Sequence, residues 1–70
     1  MKGLAEAKAA IIKARNQDEL YQAVGGICRS GLFRFDDSLT LEENAELARL
    51  CHEPRIADLL DFAMIKERKL

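Results

Sequence analysis

The 70-residue sequence has no tryptophan and only one tyrosine, one proline, one histidine and two cysteines. Each scarcity excludes something. Cys28 and Cys51 are too few for a disulfide framework and lack the close spacing of a zinc or redox pair, so a reducing, cytoplasmic setting is the expectation. Gly25 and Gly26 have neither the spacing nor the preceding strand of a phosphate-binding loop. No apolar run approaches the ~20 residues of a membrane-spanning helix. Near the N-terminus the longest, Ala9 to Ile12, is a fraction of a signal-peptide core, so neither secretion nor a membrane partner is expected. An excess of one charge is also missing: eleven Lys and Arg face twelve Asp and Glu, a net charge of -1. Such a balance does not advertise nucleic acid or an anionic membrane. No internal repeat and no low-complexity tract breaks the chain.

What is present is apolar and charged in helical order. Hydrophobic residues make up 49% of the chain and charged ones 33%, enough to fold and too little net charge for a disordered segment. At this length one helical domain over residues 1–70 is the expectation, with a marginal core. Chains of this size commonly gain stability from disulfides, a metal or association.

Leu4 to Arg15 is built almost wholly of strong helix formers, with Leu4, Ala7, Ile11 and Ala14 on one side and Ala5, Ala9 and Ile12 beside them. That spacing predicts a first helix with a broad alanine face, wetted by Lys2, Lys8, Lys13 and Arg15. Asn16 followed by Glu19 forms a variant capping box, with Asp18 also suited to a helix N-terminus. A second helix therefore starts there, with Leu20, Ala23, Val24, Ile27 and Cys28 as its stripe. It is expected to end at Ser30, with Gly31 left-handed and Leu32 reaching back to Ile27. Gly25 and Gly26 lie inside it at a cost of ~1–2 kcal/mol together, which calls for close packing or a kink.

Between Gly31 and Leu39 the apolar residues Leu32, Phe33, Phe35 and Leu39 follow no helical period, and Asp36, Asp37 and Ser38 are turn formers. This predicts an apolar loop. Thr40 with Glu43 is a capping box for a third helix from Leu41 to about His52, with Leu41, Ala45, Leu47, Ala48 and Cys51 inward. Pro54 suits the first turn of a fourth, with Ile56, Leu59, Leu60 and Ala63 inward and Phe62 and Met64 flanking. Lys66, Arg68 and Lys69 complement its C-terminal dipole. No strand pattern occurs, so the predicted fold is all-α: about four short helices with one longer apolar loop between the second and third.

Chemistry finds little foothold. Cys28, Cys51 and His52 are the only soft ligands, and a tetrahedral site would need a fourth, such as Glu53. Neighbouring helical residues point ~100° apart, which makes Cys51 and His52 an awkward pair. Both cysteines fall on core stripes, where a thiol behaves as a small hydrophobe, and a disulfide between the second and third helices remains open geometrically. His52 fits a helix C-terminus better than a catalytic dyad. Glu42 with Glu43, and Asp58 with Asp61, read as solvated faces. No catalytic residue, cofactor or metal is therefore expected, and the chain reads as a non-enzyme.

Two partner classes remain. The third and fourth helices, joined by a short turn, resemble a helix-turn-helix in outline, so a small DNA-binding or nucleoprotein accessory factor is the alternative. Against it, the second helix of that pair carries Asp58 and Asp61 beside Arg55, and its turn holds Glu53 and Pro54 rather than glycine. Protein binding has positive support. Tyr21, Phe33, Phe35, Leu50 and Ile65 exceed what so small a core covers, marking candidate partner-binding residues. From Asp36 to Asp61, eight acidic residues face Arg49 and Arg55 alone, while residues 1–15 carry +3. Such polarity can steer a basic partner or orient two copies. The expectation is a small regulator or adaptor, homodimeric, that occupies a surface on another protein.

Overall fold

The computed structural model describes residues 4–25 and 33–70. They form α1 (Leu4–Lys13), α2 (Gln17–Gly25), α3 (Leu41–Leu50) and α4 (Pro54–Arg68), with no strand among the described residues. The molecule is a small all-α bundle. α4, the longest helix, packs against each of the other three, most extensively against α3, while α1 also packs on α2.

Each start is set by local side-chain chemistry. At α2 the Asn16 Oδ1 accepts the Glu19 N–H at 2.9 Å, and the Glu19 carboxylate accepts the Arg15 N–H at 2.8 Å. This is a capping box whose return arm lands one residue early, and it explains why α1 stops at Lys13 rather than Arg15. The box holds Arg15 and Asn16 for the next helix. At α3 both arms are regular: the Glu43 N–H donates to Thr40 Oγ1 at 3.1 Å, and the Thr40 N–H donates to the Glu43 carboxylate at 3.0 Å. α4 opens with Pro54 in its first turn and no side-chain cap from Glu53, where proline's missing N–H leaves nothing unsatisfied.

Helix three ends two residues before the expected His52. His52 adopts φ 59°, donating its N–H to Arg49 O at 3.1 Å while Glu53 donates to Ala48 O at 2.8 Å. Those two bonds define a Schellman ending in which a histidine occupies the left-handed position usually held by glycine. His52 thus terminates the helix through its backbone. Cys51, expected on the core stripe, is the half-buried C-cap residue and a free thiol.

Among the described residues the core is one cluster of fifteen buried apolar residues, seven of them alanine. Alanine at these positions lets helices approach closely but contributes little apolar surface, so Phe33, Ile11, Leu20, Leu41 and Leu60 supply most of the bulk. Three expectations change. Ala5, Ala9 and Ile12 are exposed, because among the described residues α1 meets only α2 and α4 and one stripe satisfies both. Leu4 is also partly exposed at the start of that helix. Leu47 lies at the edge of α3, whose buried face runs Leu41, Asn44, Ala45, Ala48. The predicted end of the second helix, with Gly26, Ile27, Cys28, Ser30, Gly31 and Leu32, falls outside the described residues. So does any pairing of Cys28.

Candidate interaction surface

The segment from Phe33 to Thr40 is shaped by one polar side chain. Asn44 is completely buried. Its Oδ1 accepts the Asp36 N–H at 2.8 Å, and its Nδ2 donates to Asp36 O at 2.9 Å and to Thr40 O at 2.8 Å, with Leu39 O at 3.4 Å. The amide therefore does for this segment what a neighbouring strand would do, satisfying donor and acceptor of the same residue. Asp36 then opens a turn: the Leu39 N–H donates to Asp36 O at 3.1 Å, and Ser38 donates its N–H at 2.9 Å and its hydroxyl at 2.6 Å to the Asp36 carboxylate. The Ser38 hydroxyl and then its N–H hold the Asp36 carboxyl below the usual range.

This arrangement sorts the five candidate partner-binding residues. Phe33 is 1% exposed and belongs to the core, because the clamp on Asp36 draws the chain ahead of it inward; its place on a binding surface is withdrawn. Tyr21 and Phe35 come together edge to face, ring centres 5.8 Å apart and both half-buried. The Tyr21 hydroxyl lies against the Gln17 side chain and the Leu41 backbone; burial, and then the nearby Glu67 charge, push it above its ordinary value. Leu50 is 75% and Ile65 53% exposed, the first ending α3 and the second on the outer part of α4. Ile12 on α1, 56% exposed, lies on the second stripe of that helix, a face that the fold leaves open.

Tyr21 and Phe35 line a groove of about 800 Å³ between α2 and the clamped segment, with Asp18 and Asp37 among its other walls. Elsewhere the surface polar groups serve the fold. Lys66 reaches from α4 to Ile12 O at 2.8 Å, neutralising the C-terminal carbonyl end of α1 rather than of its own helix. Gln17 bonds Glu67 at 3.1 Å, and Lys8 sits 5.0 Å from the centre of the Phe62 ring. Asp61, expected to be merely solvated, pairs with Arg49 at 2.8 Å. No group of three His, Cys, Asp or Glu able to hold a metal occurs among the described residues, and no helix there is long and apolar enough to cross a membrane.

The fold and this surface define a small helical bundle with exposed aliphatic side chains on several helices. No protein-family model, curated protein or solved structure matches the chain.

Proposed function

We propose that this chain is a non-enzymatic, cytosolic interaction module, a homodimer that regulates or recruits another protein by occupying part of its surface. The observation that supports this most is the exposure of Leu50 and Ile65, at 75% and 53%, in a bundle with so small a core. Where large aliphatic groups left in water gather into one patch, they mark a surface completed by another chain. The DNA-binding alternative gains no such support, since α4 presents Asp58 in the open and its Arg55 stands beside that carboxylate's helix face.

The test is affinity purification of the tagged chain from its native lysate beside Leu50→Asp and Ile65→Asp. The expected result is a discrete partner, held at moderate salt by the parent and lost from at least one variant. Equal recovery by all three chains, or retention only of nucleic acid that falls steeply with salt, overturns the reading.

A further inference from the structure

The groove between α2 and the segment 33–40 has a definite chemistry. Its two half-buried rings, Tyr21 and Phe35, present aromatic surface. Asp18 and Asp37 are its charged walls, and Gln17, Gln22 and Ser38 also line it. Every charged side chain among its described lining residues is acidic. Asp18 and Asp37 are both exposed, and neither is consumed by a salt bridge among the described residues, unlike Asp61. The groove also opens the stretch from Asp36 to Asp61 in which acidic residues outnumber basic ones eight to two, so the long-range field around it favours the same sign of partner.

We infer that this groove receives an arginine side chain of the partner protein, its guanidinium stacked on Tyr21 or Phe35 and paired with Asp18 and Asp37. A guanidinium fits because it is planar, stays charged, carries five donors for carboxylates and amide oxygens, and stacks on aromatic faces. The inference deepens the interaction-module reading and rests on it: the groove selects a partner with a basic residue at the right place.

The experiment is a two-dimensional amide NMR titration of the full chain with a short capped peptide containing two arginines, against the same peptide with citrulline in their place. Citrulline keeps the shape and loses the charge. The expected result is saturable shifts at Tyr21, Gln22, Asp37 and Ser38 with the arginine peptide, and binding at least tenfold weaker both for citrulline and for the Asp18→Asn, Asp37→Asn chain. The Glu42→Gln, Glu46→Gln chain removes as much charge from exposed positions of α3 and should bind within about twofold of the parent. The parent-like spectrum of each variant verifies its fold. Equal weakening by both charge variants, or shifts that never saturate, overturns the inference. Undiminished capture of a lysate partner by Asp18→Asn, Asp37→Asn also overturns it, while leaving the interaction module standing.

Discussion

Asn44 and His52 carry structural roles larger than their size. Replacing Asn44, itself fully buried, with alanine leaves the Asp36 N–H and its carbonyl without the amide that satisfies both. The expected loss is roughly 1–3 kcal/mol, read as a lower urea midpoint, because several hydrogen bonds of one buried amide are lost together. A loss under about 0.5 kcal/mol would mean the clamp is decorative. His52→Gly should act in the opposite direction. A side chain in the left-handed region is strained by ~1–2 kcal/mol, offset in part by glycine's greater freedom when unfolded, so a gain of about 1 kcal/mol is expected. The role of Asn44 was not legible in the sequence, because it matters only once residues 36–40 fold back over it. That His52 ends its helix was legible, although it does so through a left-handed backbone rather than through its side chain. The one available signal for Asn44 was its place at i+3 from Leu41 and i−4 from Ala48, a polar residue on an apolar stripe.

At the scale of elements, helix starts were readable and exact helix ends were not. Asn16 with Glu19 and Thr40 with Glu43 work within four residues of chain, so composition and spacing suffice. Ends depend on what the next segment does, as the early stop of α1 shows. For the glycine pair either close packing or a kink is the expectation, and at Gly25, the last described residue of α2, a methyl group meets nothing within 4 Å, so close packing does not apply there. Gly25→Ala should therefore stabilise α2 by ~0.5–1 kcal/mol in thermal or urea unfolding, and a destabilisation would reveal a contact at this site. The Asp36 turn adds a pH dependence. Its carboxyl is held below the ordinary range, so its contribution is present above the unfolded value near ~3.9 and is lost as pH falls through the folded one. Tyr21 behaves oppositely: raised by burial and by Glu67, it contributes fully below about 10 and its share is lost as pH rises through the folded value. Thermal midpoints across pH should fall at both ends, with Asp36→Asn flattening the acid limb and Tyr21→Phe the alkaline one. Unchanged limbs would contradict these assignments.

For the whole molecule, the all-α architecture followed from stripes, caps and the absence of strand pattern, whereas the surface did not. An aperiodic loop gives no way to tell a core phenylalanine from an exposed one, which is why Phe33 and Phe35 looked alike and part company in the fold. Ile12, Leu50 and Ile65 stay exposed because α4 occupies the centre and, among the described residues, α1 has no third neighbour. Among the described residues the core is nearly half alanine, which leaves a domain of this size short of apolar burial, and the homodimer we propose would supply it through Leu50 and Ile65. Linked folding makes this measurable, since a protein that folds as it dimerises gains stability with concentration. The decisive measurement is size-exclusion chromatography with light scattering, paired with thermal midpoints over a hundredfold range of concentration, for the parent chain and Leu50→Asp. The account predicts twice the chain mass and a midpoint that rises with concentration for the parent, and a monomer with a flat, lower midpoint for the variant. A monomeric parent with a concentration-independent midpoint, shifted by less than about 0.5 kcal/mol in the variant as at any exposed site, would contradict it.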